Sequence, residues 1–216
     1  MSTRIRKVDQ GMRKSPKQER SRATVDAIIE AGTQVLGLRG WSAFTTNEVA
    51  DMAGVSIGSL YQYFPNKLAL IEAIRQRHFD DVLDVLRKAN ESANELEQCF
   101  ASLIRGMLSV HVAHPSLHRA LLEEVPRSDG TIAAHADFES RYLDFYVALI
   151  SRYRKQHNLK RLQIEARTLS AAIEGVVHQT ALNGLTDSSE LREELTRLAC
   201  GYVKNLDLTC SGVNQH

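Results

Sequence analysis

Apolar residues in this chain recur every three or four positions, with no sustained alternation. That spacing predicts helix almost throughout from residue 19 onward. The stripe Val25, Ile28, Ile29, Gly32, Val35 and Leu36 defines a first helix over about 19–39, stopped by Gly40. "TTNEVADMAG" follows, with Thr45 as N-cap, Glu48 three residues on in a capping-box arrangement, and Gly54 as the end. Ser56 then opens a segment of barely two turns that Pro65 closes, because proline disfavours helical geometry at Phe64. A long amphipathic helix over about 67–89 carries Ile71, Ile74, His78, Val82 and Leu86 on one face. Further helices are expected near 94–113, 116–124, 132–156, 163–183 and 188–207, separated by breaks rich in Pro, Gly, Asn, Asp and Ser.

The segment "VSIGSLYQYFPNK" crowds Tyr61, Tyr63 and Phe64 onto a helix too short to be stable alone in water. Two short helices joined by a tight turn containing glycine make a helix-turn-helix, whose second helix enters the major groove of DNA. At 100° per residue, Leu60 and Phe64 point inward against Val49, Ala50 and Ala53. Ile57 and Tyr61 lie at the edge of that face, while Gly58, Ser59, Gln62 and Tyr63 point away from it. Gln62 suits a bidentate contact to an adenine edge, and Gly58 removes a side chain where backbones must approach. Ser59 and Tyr63 offer hydroxyls to phosphate oxygens, and Lys67 suits a phosphate contact that fixes register.

Residues 45–70, "TTNEVADMAGVSIGSLYQYFPNKLAL", resemble the DNA-binding signature of the tetracycline-repressor (TetR/AcrR) family. The matching positions are Thr46, Val49-Ala50, Ala53 to Ser56, Gly58, Leu60-Tyr61, Tyr63-Phe64 and Lys67 to Leu70. The resemblance implies an all-α subunit: a three-helix head over 19–66 and a helical ligand-binding and dimerisation body over 67–207. By position it places Thr46, Ser59, Tyr63 and Lys67 against phosphates, and Asn47, Ile57, Gly58, Tyr61 and Gln62 against base edges. Ile57 stands where some members have a polar residue, so there it would meet a thymine methyl. The implied function is a homodimeric regulator, by family habit a repressor, that binds a palindromic operator and is released by a small-molecule effector. No cofactor and no catalysis are implied.

Composition narrows the setting. Among 216 residues, 43% are hydrophobic and 25% charged, ordinary for a globular chain. No apolar run reaches the roughly 18 residues of a membrane span, and the first residues do not read as a secretory signal. Three cysteines, Cys99, Cys200 and Cys210, form no C-x-x-C pair, which points to reduced thiols and a cytoplasmic setting. Net charge is only +1, yet residues 1–18 hold six cations against Asp9. That stretch reads as a disordered basic arm, either binding phosphates or serving only as a solvated tail that aids solubility, and 208–216 as a disordered tail.

The last two helices carry apolar residues on more than one side and so need cover on more than one side. Leu169, Ala172, Val176, Leu191, Leu195, Leu198 and Tyr202 are the expected dimerisation residues, in an intersubunit four-helix bundle; a fully intrachain core is the simpler alternative. An aromatic set, Phe100, Leu103, Met107 and His111 with Phe138, Tyr142, Phe145, Tyr146 and His178, is the expected ligand chamber, although such stripes are more often ordinary core. His111, His114 and His118 are close in sequence, but Pro115 breaks the helix between them and no cysteine or carboxylate is suitably spaced, so no metal site is expected. The competing readings are an architectural DNA binder without ligand control and an all-helical enzyme. For the enzyme the sequence offers no nucleophile–base pair or phosphate loop.

Overall fold

The computed structural model describes residues 19–91, 95–126, 129–153, 158–183 and 188–206. The basic arm over 1–18, the tail over 208–216 and Cys210 lie outside the described residues. The described elements are helices: α1 Glu19–Ala43, α2 Thr46–Met52, α3 Ile57–Tyr63, α4 Lys67–Glu91, α5 Leu96–Ala113, the single turn α6 Leu117–Arg119 running into a π-type turn Ala120–Glu124, α7 Asp129–Ser151, α8 Leu159–Leu182 and α9 Ser189–Asn205. No described helix is long and apolar enough to cross a membrane.

Packing divides the chain into two units. One comprises the chain through Phe79 together with Ser116–Ala134; the other comprises Asp80–Pro115 and His135 onward. In the first unit the α1 stripe Val25, Ile28, Ile29, Val35 and Leu36 is buried with Phe44, Val49, Ala50, Leu60, Phe64, Leu70, Ile71 and Ile74. Gly32 lets α1 approach α4 closely, since a Cβ there would stand 2.8 Å from Ile74 Cδ1. Leu117, Ala120, Leu121 and Val125 complete this core, so the segment following α5 packs with the head helices. Nothing in the local pattern of that segment announces where it packs.

The same segment stabilises a break in α1. Gly40 adopts φ 68° and ψ 175°, a region essentially restricted to glycine. The helical ladder is interrupted there, and the freed N–H of Trp41 donates to Glu124 Oε2 at 2.9 Å. Arg75, itself buried, donates to the Leu121 carbonyl at 3.5 Å and pairs with Glu72 at 2.5 Å.

The second unit is built from the later part of α4 with α5, α7, α8 and α9 around a core that includes Phe100, Leu103, Ile104, Met107, Tyr146, Ile150, Leu169, Ile173, Val177, Leu195 and Ala199. Gly106 of α5 admits Val85 of α4, whose Cγ1 would lie 2.6 Å from an added Cβ. Helix ends follow local chemistry: Asn158 Oδ1 accepts from Arg161 N and Ser188 Oγ from Leu191 N. Asn158 therefore opens α8 inside the stretch expected to be a break. Cys99 and Cys200 are buried free thiols whose pKa values burial pushes up, which keeps them protonated and inert.

The break at Gly40 generates a test. Gly40→Ala would force an L side chain into a glycine-only conformation and drive its Cβ to 2.7 Å from Glu124 Oε2. The expected outcome is a loss of roughly 1–3 kcal/mol, read as a fall in Tm by calorimetry. An unchanged Tm would show that the break does not constrain the head.

Candidate nucleic-acid interface

α2 and α3 each span seven residues and are fixed at both ends by hydrogen bonds. Thr45 Oγ1 accepts from Glu48 N at 3.2 Å. The return bond of a capping box is absent: the Glu48 carboxylate instead accepts from Arg39 Nε at 3.0 Å, tying α2 to α1. Gly54, at φ 67°, ends α2 with two back-bonds, Gly54 N to Asp51 O at 3.2 Å and Val55 N to Ala50 O at 3.0 Å. This Schellman geometry needs a left-handed residue, and glycine supplies it without a Cβ penalty. Ser56 Oγ then caps α3 by accepting from Ser59 N at 3.1 Å. Phe64 leaves the helix at φ −117° and ψ 104°, the extended conformation that Pro65 demands.

Within this frame Leu60 and Phe64 are completely buried beside Val49 and Ala50, as the helical spacing implies. Asn47, Gly58, Tyr61 and Gln62 are exposed, and so is Ile57, a large apolar side chain on the surface. Tyr61 is thus not core; its hydroxyl shares a 3.0 Å hydrogen bond with Thr46 Oγ1, joining the outer faces of α2 and α3. Gly58 has no intramolecular reason to lack a side chain: its φ is not positive, and a Cβ would meet only Ser56 Oγ, at 3.9 Å.

Three expected contact residues sit deeper than helical spacing alone places them. Tyr63 is half-buried against the head core, because α3 is short and its last turn folds back at Pro65. Ser59 is half-buried and its hydroxyl lies 2.8 Å from that of Ser56. Lys67 is turned onto Trp41: its Nζ donates to the Trp41 carbonyl at 3.0 Å and lies 3.6 Å from the ring centroid. Partial burial lowers its pKa from the usual lysine value. An ammonium has three donors, so this seat leaves the group able to hold a phosphate as well. Trp41 itself stacks on Phe44. Trp41 and Glu124 were not singled out by sequence, because neither lies on the motif. Asn66 was likewise missed; its Oδ1 caps α4 by accepting from Ala69 N at 2.8 Å.

The expected chamber residues of the second unit are for the most part core. Phe100, Leu103, Met107, His111, Tyr142 and Tyr146 are all buried, with Phe138 and Phe145 packed against them. Polar groups nonetheless gather there. His111 Nδ1 donates to the Met107 carbonyl at 2.8 Å, and its ring lies 4.6 Å from that of His178. Burial holds both imidazoles neutral at pH 7, His178 being lowered to about 4 by burial and then by His111. The hydroxyls of Tyr142 and Tyr146 are 3.4 Å apart and their pKa values are raised by burial, as is that of Glu174 on α8. Glu174 escaped the sequence reading because one carboxylate on an apolar helix carries no motif. Among the described clefts of this unit, one of about 620 Å³ between Asn158, Arg161, Ile164, Tyr202 and Leu206 and another of about 740 Å³ between α5 and α9 include none of the expected chamber residues, while a third of about 410 Å³ between α4 and α7 is lined by Phe145.

The expected dimerisation set also divides. Leu169 and Leu195 are buried in the core of their own unit, so they cannot form the outer surface of a bundle, and that assignment is corrected. The 3.6-residue period turns them toward α5 rather than outward. Ala172 and Leu198 are exposed and Val176, Leu191 and Tyr202 half-buried, alongside exposed Ile164 and Leu182. Nothing lies within 4 Å of a Cβ built on Gly175 or Gly201.

Residues 28–74 match the family model described as bacterial regulatory proteins, tetR family, and residues 95–202 the model described as a tetracyclin repressor-like C-terminal domain. The HTH-type transcriptional activator FasR of Mycolicibacterium smegmatis is 25% identical over 85% of this chain and 84% of its own length. The probable HTH-type transcriptional regulator ArpR of Pseudomonas putida is 34% identical, over 37% of this chain and 38% of its own. Among solved structures, the fatty acid degradation regulator FadR from Bacillus halodurans superposes with a TM-score of 0.67 at 21% identity, covering 82% of this chain and 97% of that one. A TetR-like transcriptional regulator from Rhodococcus sp. RHA1 gives 0.65 at 19% identity, over 87% and 97%. Such identities establish the shared fold alone, but the C-terminal match spans half of the chain and the N-terminal match falls on the helix-turn-helix. On those grounds the chain belongs to the tetR family of bacterial transcriptional regulators.

Proposed function

We propose that this regulator binds a palindromic DNA operator as a homodimer through α3 and that a small-molecule effector releases it. The observation that carries the reading is the outer face of α2–α3. Asn47, Ile57, Gly58, Tyr61 and Gln62 are all exposed there, on a helix held rigidly from behind by Leu60 and Phe64. Gly58 satisfies no internal constraint, so its missing side chain serves a surface that approaches from outside. The Gln62 amide can read an adenine edge, and Ile57 a thymine methyl. Thr46, Ser59, Tyr63 and Lys67 flank this face as phosphate contacts, with Tyr61 locking Thr46 in place.

Charge shapes how such a head would bind. Residues 19–67 hold Arg20, Arg22, Arg39 and Lys67 against five carboxylates, so the positive charge of the N-terminal region comes from the arm over 1–18. Phosphate contacts by that arm raise affinity in a salt-dependent way without specifying sequence.

A single α3 reads few bases, and two copies about 34 Å apart read a palindrome. The outer faces of α8 and α9 suit a twofold contact: Ile164, Ala172, Val176, Leu198 and Tyr202 supply apolar area, and Gly175 and Gly201 permit close approach of backbones. For control, α4 is one continuous helix whose first residue belongs to the proposed DNA face and whose later turns belong to the body core. A ligand that favours one tilt of α4 would change the spacing of the two reading helices. The polar kernel of His111, His178, Tyr142, Tyr146 and Glu174 offers hydrogen-bonding groups for such an effector in otherwise apolar surroundings. The tight burial of Phe100, Leu103, Met107 and Tyr146 favours a second reading, a constitutive DNA binder without ligand control.

Selection of bound fragments from random DNA should return an inverted repeat with half-sites one helical turn apart. Gln62→Ala should weaken the best site by roughly 1–3 kcal/mol and relax specificity at one position per half-site, with an unchanged Tm. Selection that returns no common sequence would overturn the reading, and an operator affinity indifferent to every effector screened would leave the constitutive one. Because Leu198 is half-exposed, Leu198→Glu should spare the fold. In sedimentation it should shift the protein from dimer to monomer and weaken operator binding; a dimer that persists would move the interface off this face.

A further inference from the structure

His118, at the centre of α6, meets His78 of α4, forty positions earlier, with Nδ1 of the former 3.1 Å from Nε2 of the latter. The two rings meet edge to face with centroids 5.4 Å apart. Both residues belong to the first unit, and neither is among the residues of the DNA-facing surface.

We propose that His78 and His118 chelate a divalent first-row transition-metal ion of the kind that favours imidazole, such as zinc, nickel, cobalt or copper. Two nitrogens each about 2.0–2.1 Å from a tetrahedral ion lie roughly 3.3 Å apart, close to the 3.1 Å found here; the rings now point nitrogen to nitrogen, so both must swing to aim their lone pairs at one ion, a turn that the half-buried His118 has room to make. Imidazole nitrogens select zinc, nickel and copper over magnesium and calcium, which require oxygen donors.

Preorganisation supports the site. On either side of His118, Leu117 and Ala120 are buried in the head core. Further on, Arg75 holds the Leu121 carbonyl and Glu124 caps Trp41. His78 is buried on α4, beside the ring of Phe79. His118 is half-buried, which leaves the pair accessible to an ion. Arg75 stands one turn from His78 on α4, but Glu72 balances its charge at 2.5 Å, so the local field does not exclude a cation.

Binding balances without net proton loss. In the metal-free pair one ring donates its N–H to the other; when the ion takes both facing lone pairs, that proton moves to the donor ring's other nitrogen. Water or further donors complete the coordination. The ion would tie α4 to the segment 117–125, which shares the core of the DNA-binding head. The inference is tested apart from the operator reading, since metal binding is measured without DNA.

The test uses the full-length protein, free of any affinity tag and stripped of metal. Zn²⁺ and Ni²⁺ are titrated by calorimetry, and Cu²⁺ is followed by electron paramagnetic resonance. One ion per chain is expected, with nitrogen hyperfine structure from imidazole in the copper spectrum. His118→Gln, which keeps a polar side chain at a half-buried position, should weaken binding at least roughly tenfold, since even an outer partner of a metal-bound imidazole is worth about 10–100-fold. His78→Gln should act in the same way, whereas His114→Gln and Cys210→Ser should bind as the wild type does. A wild-type protein that binds no ion, a copper spectrum without imidazole nitrogen, or undiminished binding by His118→Gln would each overturn the proposal.

Discussion

A seven-residue helix does not hold its shape in water, and α3 depends on being pinned. Leu60 and Phe64 do the pinning: one turn apart, both are completely buried against α2 and the α1 stripe. Each such side chain contributes about 1.5–3 kcal/mol by leaving water, enough to turn a marginal helix into a rigid one. The ends add to this. The Schellman turn at Gly54 and the Ser56 cap fix where the helix begins, and Pro65 fixes where it stops. Because one face carries all the stability, the opposite face of Gly58, Tyr61 and Gln62 is available for recognition.

That division between buried and exposed faces extends outward through the head. Lys67, at the start of α4, rests on Trp41, and the N–H of Trp41 is held by Glu124. Gly40 makes the arrangement possible by breaking α1 where the carboxylate approaches. A carboxylate from a turn that follows α5 thus caps the helix break next to the head's recognition elements. The segment 117–125 is as much a part of the head core as Val49 or Phe64. The head is therefore a larger object than its three-helix motif.

The body obeys a different economy. Its core is large and apolar, and burial favours the neutral forms of the polar groups in and beside it, lowering the pKa values of His111 and His178 and raising those of Tyr142, Tyr146 and Glu174. Neutral groups of this sort hydrogen-bond without the desolvation cost of a buried charge. On α8 and α9 the inward rows satisfy the chain's own core. On the outward rows, nothing lies within 4 Å of a Cβ built on Gly175 or Gly201, and Ile164 and Leu198 are exposed.

Local chemistry was enough to read the helix-turn-helix. The caps at Thr45 and Ser56, the stops at Gly40, Gly54 and Pro65, and the inward pair Leu60 and Phe64 all follow from spacing and residue type. The stripe of α4 from Ile71 to Leu86 follows in the same way, since a helix repeats every 3.6 residues whatever surrounds it. Partners distant in sequence did not follow. That Glu124 caps Trp41, that Lys67 lies on an indole, and that His118 meets His78 depend on where whole segments pack. The same is true of Leu169 and Leu195, which belong to an apolar row that could face either a second copy or the chain itself. Periodicity names the faces of a helix, but only the packing of distant segments decides what each face touches.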